Sequence, residues 1–297
     1  MRKLVECVPN FSEGRRISVI NKIAASIKAI KGVRLLDTEW DKSHNRSLVT
    51  IVGEPEAVLK AAFEMIKTAT KLIDMRKHKG EHPRIGATDV VPFVPVSGVT
   101  IKECVVLSNK LAKKVAEELK IPVYMYEASA KRPDRVNLAD VRRGEYEGFK
   151  KDIETNPARK PDYGLAKMHP TAGAIVIGAR KYLVAYNVNL DTKDIEIAKK
   201  IAMKVREKDG GLPGVKALGF EVGGYTQVSM NLVDFEKTNF DEAYRAIETE
   251  AKKHKVDIRS SEIYGMIPLE ALIRSVKTSF KTVNFKSDQV LEKKLYE

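Results

Sequence analysis

The stretch VKALGFEVGGYTQVSMNLVDF, residues 215–235, contains two strand-like runs separated by the pair Gly223-Gly224. Two consecutive glycines between β-rich runs are typical of a two-residue hairpin turn, because both turn positions take a positive φ that glycine adopts without strain. The stretch therefore predicts two adjacent antiparallel strands. The segments on either side of it decide which fold these strands belong to.

Strand-like and helix-like patterns alternate around this hairpin. Before it, YLVAYNVNL (182–190) predicts a strand and DIEIAKKIAMKVREK (194–208) a helix. After it, NFDEAYRAIETEAKKH (239–254) predicts a helix, VDIRSSEIYGMIPL (256–269) a strand, and residues 268–279 a last helix. The resulting order, β-α-β-β-α-β, is that of a ferredoxin-like unit.

The first half of the chain repeats this order. Its elements are a strand LVECVP (4–9), a helix SEGRRISVINKIAASIKAI (12–30) capped by Ser12, strands GVRLLDTEW (32–40) and RSLVTIVG (46–53), a helix EPEAVLKAAFEMIKTATKLI (54–73) and a strand TDVVPFVPV (88–96). A further helix (102–119) and strand (122–129) follow. The repetition predicts an α+β fold of two tandem ferredoxin-like (β-α-β-β-α-β) subdomains, 1–178 and 179–297, each an open sheet with helices on one face.

Residues 130–172 connect the two halves and are rich in Arg, Asp, Pro and Gly. They predict an ordered loop rather than sheet. Because long connections between domains commonly line binding sites, we expect a ligand cleft between the subdomains.

The net charge of +13 suits nucleic acid, an anionic substrate, or a surface that is merely rich in Lys, Arg and Glu. The lysines are spread beside glutamates along helical stretches, without the interleaved aromatics that favour nucleic acid. We therefore expect no nucleic-acid partner, and a basic nucleic-acid-binding module stays as an alternative.

The two cysteines, Cys7 and Cys104, lack metal-like spacing. The start of the chain has no export-type apolar segment, and no run approaches the ~18 apolar residues that a membrane span needs. These features predict a cytoplasmic enzyme with reduced thiols and no membrane association.

The segment KHKGEHPRIGATDV (77–90) contains His78 and His82 in the spacing H-x-x-E-H, the zinc signature of one metallopeptidase family. That site needs both histidines on one helix face, whereas Gly80 and Pro83 oppose a helix here. We expect no metal, with a zinc peptidase kept as an alternative.

A second interpretation of this segment is proton chemistry. His82 has the pKa range of a general acid/base near neutral pH, and Arg84 offers a planar fork for a carboxylate. The alternative is that both side chains only hydrogen-bond the surrounding loop.

Two further groups of residues are candidates for a functional site. Asp37 and Glu39 share one face of a strand and are expected near Asn45-Arg46, where they would orient a histidine or a substrate amine, or form a solvated edge. The run from Tyr163 to Gly173 would wrap a ligand or serve as a linker.

Several long strings resemble the glutamate formiminotransferase family. They are VECVPNFSEG (5–14), HNRSLVTIVG (44–53), KGEHPRIGATDVVPF (79–93), PTAGAIVIGARKYLVAYNVNL (170–190), QVSMNLVDF (227–235) and IPLEALI (267–273). The resemblance covers nearly the whole chain. It implies two ferredoxin-like subdomains with the substrates in a cleft between them, in agreement with the tandem pattern.

The resemblance implies transfer of a formimino group from N-formimino-L-glutamate to N5 of tetrahydrofolate, which gives 5-formiminotetrahydrofolate and L-glutamate. Tetrahydrofolate, with or without a polyglutamate tail, is then a co-substrate, and no metal is required. His82 corresponds to the family's catalytic histidine, with Asp37, Glu39 and Arg84 as supporting or substrate-orienting residues.

The resemblance also implies a folate-binding loop and a homodimer. The loop comprises Tyr163, Gly164, Leu165, Ala166, Lys167, Met168, His169, Pro170, Thr171 and Ala172. Family members often have proline where this chain has Leu165, which leaves the individual loop contacts open.

A second activity within the family is also compatible with the sequence. Animal relatives append a cyclodeaminase, whereas this sequence ends at Glu297, so we expect a separate enzyme to process the product. The alternative to formimino transfer is movement of a formyl group between 5-formyltetrahydrofolate and glutamate.

Overall fold

In a computed structural model, which describes residues 2–80 and 82–296, the chain forms two units, Met1–Arg180 and Lys181–Glu297. Both contain sheets and helices, so the predicted α+β class is confirmed. The functional subdomain division at residues 178 and 179 stays a prediction. No helix in the described part of the chain is long and apolar enough to cross a membrane.

The first unit contains strands and helices in mixed order. They are β1 Leu4–Cys7, β2 Asn10–Phe11, α1 Ile17–Ala25, β3 Val33–Asp41, β4 Arg46–Gly53, α2 Pro55–Leu72, β5 Thr88–Ser97, α3 Ile101–Leu119, β6 Val123–Glu127, α4 Leu138–Val141, α5 Glu145–Asp152 and β7 Ile175–Ala179. Short 3₁₀ turns lie at Pro133–Arg135 and Pro157–Arg159.

The sheet of the first unit begins with the predicted arrangement and then extends beyond it. β3 pairs with β4, β4 pairs with both β1 and β2, and these pair with β5, all antiparallel. Here β1 and β2 are two parts of one strand, interrupted at Val8-Pro9. β5 then pairs with β7, and β7 with β6, both in parallel.

The strand β7 is absent from the sequence prediction, which leaves residues 173–181 without an element. Its sequence, IVIGA, is a short continuous apolar run that lies between two parallel strands. Such strands are buried on both faces and show no alternation of polar and apolar residues.

Helices cover both faces of this sheet, and the prediction of helices on one face is wrong for the first unit. On one face, α1, α2 and α3 bury residues such as Ile23, Ile66 and Leu111 against Val91 and Ile177. On the opposite face, α4 and α5 from the 130–172 connection bury Val141 and Phe149 against Val90, Tyr124 and Val176. Each such large apolar side chain contributes about 1.5–3 kcal/mol when fully buried.

The first helix begins later than predicted, and Ser12 does not cap it. The hydroxyl of Ser12 instead donates to the carbonyl oxygen of Gly86 at 2.7 Å. Glu13 serves the helix start, because its Oε1 accepts the backbone N–H groups of Arg15 and Arg16 at 3.0 and 2.8 Å. A carboxylate there satisfies donors that have no partner within the helix.

The second unit follows the predicted order up to its helix at Leu269–Phe280, and a short helix at Leu291–Tyr296 follows that was not predicted. It contains β8 Val184–Leu190, α6 Ile195–Val205, β9 Val215–Val222, β10 Tyr225–Leu232, α7 Phe240–Lys253, β11 Ile258–Tyr264, α8 Leu269–Phe280 and α9 Leu291–Tyr296. The strand order over the described residues is β11-β8-β10-β9, with each neighbouring pair antiparallel. Alternate β8 residues pack against α6 and α7, which gives this sheet one helix-covered face.

Gly223 and Gly224 form the predicted hairpin turn between β9 and β10. Their φ angles are +51° and +97°, and Val222 pairs directly with Tyr225 across them. The positive φ at both positions explains why glycine is used twice, since other residues are strained there.

Candidate active site

The described residues on either side of position 81, 77–80 and 82–90, are not helical, as Gly80 and Pro83 predict. The Nε2 N–H of His78 donates to the carbonyl oxygen of Asn45 at 3.0 Å, and its Nδ1 faces Arg84 Nε at 3.4 Å. The Nδ1 N–H of His82 donates to its neighbour's carbonyl oxygen, that of Pro83, at 2.7 Å. The two rings therefore take different partners and do not form the helical pair of a zinc peptidase.

Both ring nitrogens of His82 contact the Nη1 of Arg46, which lies 2.7 Å from Nε2 and closer to Nδ1. With Nδ1 donating to Pro83, Nε2 carries the lone pair. Arg46 is the first residue of β4 and reaches the sheet face opposite α1 and α2. Its Nε donates at 3.0 Å to the side-chain oxygen of Asn10 on β2.

A buried ion cluster lies beneath this contact. Asp89, the second residue of β5, is 2% exposed and accepts the backbone N–H of Ile85 at 3.0 Å. Its Oδ2 bonds the Nη2 of Arg142, from the turn that joins α4 to α5, and lies 3.7 Å from the Nη1 of Arg46. Two guanidinium groups thus share one carboxylate in this part of the described chain.

The charge distribution keeps His82 neutral. Burial, together with the positive charges of Arg46 and Arg142, lowers the pKa of His82 to about 2. Burial and Arg142 also lower the pKa of Arg46 to about 9, although Asp89 opposes that shift. In the free chain His82 is therefore a neutral imidazole whose lone pair is covered by a cation.

Arg84 meets carboxylates of its own chain. Its Nη1 and Nη2 donate to Glu147 at 2.9 and 2.7 Å, and Nη1 also donates to Glu145 at 2.7 Å. Its side chain is 9% exposed. A substrate carboxylate would have to displace one of these glutamates, so the clamp role of Arg84 stays a prediction and is not supported by this geometry.

Asp37 and Glu39 lie on β3 and point to the same sheet face as Arg46. Asp37 pairs with Thr50, Glu39 with Leu48 and Asp41 with Arg46, and directly opposed residues share a face. The Asp37 carboxylate accepts the backbone N–H of Thr38 at 2.7 Å. Their role as orienting carboxylates stays a prediction.

The predicted folate loop is joined to the histidine segment by main-chain hydrogen bonds. The N–H of Ala87 donates to Ala172 at 2.8 Å, and that of Ala174 donates to Ile85 at 3.0 Å. Gly86 lies between these bonds, where an added Cβ would overlap the carbonyl oxygen of Ala174 and lie 2.6 Å from that of Ala172. The structure therefore places the loop beside the His82 segment.

His169 organises the end of this loop. Its Nδ1 accepts the backbone N–H groups of Thr171 at 3.3 Å and Ala172 at 2.9 Å. Burial lowers its pKa, which favours the neutral ring that these bonds require. At the other end, Gly164 has a φ of +87° and Leu165 is 79% exposed. The loop thus presents an apolar side chain to solvent from a fixed backbone.

A small cavity lies at the candidate site. It has a volume of about 10 Å³, the size of one water molecule. It is lined by Phe11, Ser12, His44, Asn45, Arg46, His78, His82, Arg84 and Asp89. A groove of about 460 Å³ lies between α1 and β3, but Lys28 is its charged lining residue, so we assign the chemistry to the His82 cavity.

Comparisons with known proteins identify the family. The family model for the formiminotransferase domain, N-terminal subdomain, matches residues 4–180, and that for the formiminotransferase domain matches residues 185–293. The chain belongs to the formiminotransferase family. It is 48% identical to the glutamate formimidoyltransferase of Streptococcus pyogenes serotype M1 over 99% of both chains.

Other relatives within the formiminotransferase family agree with this assignment. The glutamate formimidoyltransferase of Thermoplasma acidophilum is 46% identical over 98% of this chain and 97% of its own length. The formimidoyltransferase-cyclodeaminase of Rattus norvegicus is 43% identical over 92% of this chain but only 52% of its own length. Among solved structures, an unknown protein from Galdieria sulphuraria aligns over 90% of this chain with a TM-score of 0.29 and 9% identity, too low to support an argument.

Four residues that contact the site of this formiminotransferase-family chain are missing from the predicted site residues. They are Asn10, Arg46, Asp89 and Arg142. Asp89 had a usable signal, because a lone acid at the start of an apolar strand is seldom buried without a partner. Arg142 had none, since it lies 53 residues away from Asp89 in an arginine-rich connection.

Within the described residues, no group of three or more His, Cys, Asp or Glu side chains is arranged to hold a metal ion.

Proposed function

We propose that this chain transfers the formimino group of N-formimino-L-glutamate to N5 of tetrahydrofolate, giving 5-formiminotetrahydrofolate and L-glutamate. The observation that carries the proposal is 48% identity, over 99% of both chains, to a glutamate formimidoyltransferase. A neutral imidazole beside two guanidinium groups provides a chemistry that suits anionic reactants.

His82 is the proposed proton carrier. N5 of tetrahydrofolate attacks the formimino carbon, and the tetrahedral intermediate then releases the glutamate nitrogen. The Nε2 lone pair of His82 accepts the proton from N5 and returns it to the departing nitrogen, so that no net proton is consumed. The bond from Nδ1 to Pro83 leaves Nε2 as the ring nitrogen that carries the lone pair for this transfer.

Supporting roles follow from the sheet face. Glu39 and Asp37 lie on the same face as Arg46 and are proposed to orient the substrate amine or the imidazolium. Arg84 forms ion pairs with Glu145 and Glu147, and we propose that it acts at the site through them. The role predicted from the sequence, direct binding of a substrate carboxylate, stays a prediction.

The run Tyr163 to Ala172 is the proposed folate-binding loop. Its backbone is fixed to residues 85–87, and its exposed Leu165 offers an apolar contact to a planar ligand. The net charge of +13 would increase the encounter rate with folate and its polyglutamate tail. A cytoplasmic homodimer is the proposed setting.

The activity is tested by offering purified protein two donor pairs. We expect 5-formiminotetrahydrofolate to form from formiminoglutamate and tetrahydrofolate, and glutamate to be formylated by 5-formyltetrahydrofolate much more slowly. Faster formyl transfer would instead favour the alternative activity. Absence of both products would contradict the proposal.

The loop assignment predicts an effect of His169 on tetrahydrofolate binding. His169→Ala removes the acceptor of two backbone N–H groups, each worth about 0.5–1.5 kcal/mol. We expect KM for tetrahydrofolate to rise about tenfold, with kcat changed less than about threefold. Steady-state kinetics measure both constants.

The conservative variant His169→Asn checks the cause, because an asparagine side-chain oxygen accepts the same kind of bond. It should recover part of the lost affinity. A fall in kcat alone, with KM unchanged, would argue against this role for the loop.

A further inference from the structure

Arg46 occupies an unusual position for a buried cation. Its side chain is 15% exposed, and its hydrogen bonds go to the neutral amide of Asn10 and the neutral ring of His82. The carboxylate of Asp89 lies 3.7 Å from its Nη1 and already bonds Arg142. A buried guanidinium is best stabilised by a carboxylate that accepts two parallel bonds, and Arg46 has no such partner among the described residues.

The contact with His82 also blocks the reaction. Nε2 carries the lone pair that proton transfer needs, and Nη1 of Arg46 lies 2.7 Å from it while also contacting Nδ1. The adjoining cavity of about 10 Å³ has no room for a substrate beside this pair. Catalysis therefore requires Arg46 to leave the imidazole when substrates bind.

We propose that Arg46 receives a carboxylate of formiminoglutamate, and that this contact takes its guanidinium off His82 and frees Nε2 for catalysis. The proposal rests on the proposed function for the identity of the substrate, which carries two carboxylates. Arg84 is the less suitable receptor, because Glu145 and Glu147 already hold its fork.

The charged and titratable groups that face His82 determine how its ring responds when Arg46 leaves it. Arg46 on β4 and Arg142 from the turn between α4 and α5 face it, and His44 in the β3–β4 turn lies with its ring centroid 6.1 Å away. Asp89 on β5 bonds Arg142 and lies near Arg46. A substrate carboxylate would cancel the charge of Arg46 and remove it from the ring.

The consequence is a proton carrier that becomes basic only when the donor substrate is bound. In the free chain burial and the two arginines hold the pKa of His82 far below its usual range. Removing Arg46 from the ring takes away the larger of the two arginine effects, so the pKa of His82 rises towards neutrality. Arg46 is thus a positioning residue that couples glutamate recognition to the readiness of His82.

The test is an NMR titration of the histidine side chains in the full chain labelled with ¹⁵N. We expect the His82 ring of the free chain to stay neutral down to about pH 5, because burial and Arg46 lower its pKa. Saturating L-glutamate should raise its midpoint to above about pH 5. Glutaramide, which has the same carbon chain without carboxylates, should leave it unchanged.

Variants separate Arg46 from the rest of the site. Arg46→Gln should raise the His82 midpoint in the free chain, abolish the response to glutamate, and weaken glutamate binding about 10- to 100-fold. Arg46→Lys keeps the charge without the planar guanidinium fork. Its response to glutamate and its affinity for glutamate should lie between those of wild type and Arg46→Gln. Arg132→Gln, which alters an exposed arginine paired with Asp134, should behave as wild type.

The outcomes distinguish this inference from the proposed function. If the wild-type chain transfers formimino groups but glutamate leaves His82 unchanged, the role of Arg46 is refuted and the activity stands. If glutamate raises the midpoint but neither donor pair reacts, the proposed function fails and the contact stands. The wild-type titration needs no variant, so poor folding of Arg46→Gln would not prevent a decision.

Discussion

Replacing His82 by alanine or asparagine is expected to lower kcat for formimino transfer by a factor of about 10²–10⁴. His82 is the proposed carrier of the proton that moves from N5 of tetrahydrofolate to the glutamate nitrogen. Arg46, which covers its ring in the free chain, is a cation without a lone pair and cannot take over that role. KM for both substrates should change much less, because the anionic contacts remain.

A matched histidine provides the control. His254 follows the last residue of α7 in the second unit, and His254→Asn should retain wild-type kcat. Urea unfolding of each variant shows whether the fold persists. A correctly folded His82→Asn with wild-type kcat would exclude the proton-carrier role.

The variant His82→Asn should also change how the stability of the fold depends on pH. The pKa of His82 is lowered in the folded chain, so the unfolded chain binds more protons below about pH 6.5. Stability from this group is therefore complete above pH 6.5 and is lost as the pH falls, by up to about 2 kcal/mol at pH 5. His82→Asn should lose less stability than wild type between pH 8 and pH 5, as measured by urea midpoints.

Local signals explain how far the fold could be predicted. The Gly223-Gly224 hairpin depends on φ angles that two residues set by themselves, and the second unit folds as its sequence predicts. Strand β7 and the packing of α4 and α5 depend on partners far away in the chain. A parallel strand gains its stability from neighbours on both sides, which no short window of sequence contains.

The candidate site likewise contains residues that the sequence could predict and residues that it could not. His82 could be singled out because Gly80 and Pro83 within its own segment exclude the helical metal site. The cluster of Arg46, Asp89 and Arg142 could not, because it joins residues from two strands and a distant turn. The short segment around His82 contains the proposed proton carrier, whereas the charges that lower its pKa come from elsewhere in the fold.

Removal of Asp89 is expected to produce the largest loss of stability among single substitutions at the site. Asp89→Ala leaves the buried guanidinium of Arg142 without its carboxylate and Arg46 without a nearby anion. Breaking a buried ion pair by removing one partner typically costs about 3–5 kcal/mol. Urea unfolding of the full chain measures the loss. Asp134→Ala, which breaks an exposed pair with Arg132, should cost less than about 1 kcal/mol.

The double variant Asp89→Leu/Arg142→Met separates packing from charge. Replacing both buried charges by apolar side chains should restore part of the stability, because neither desolvated group remains. Activity should nevertheless stay low, since Arg46 would lose the neighbouring carboxylate that lies 3.7 Å from its Nη1. A double variant that regained both stability and wild-type kcat would show that the cluster serves only the fold. A loss below about 1 kcal/mol in Asp89→Ala would show that the two arginines do not depend on this carboxylate.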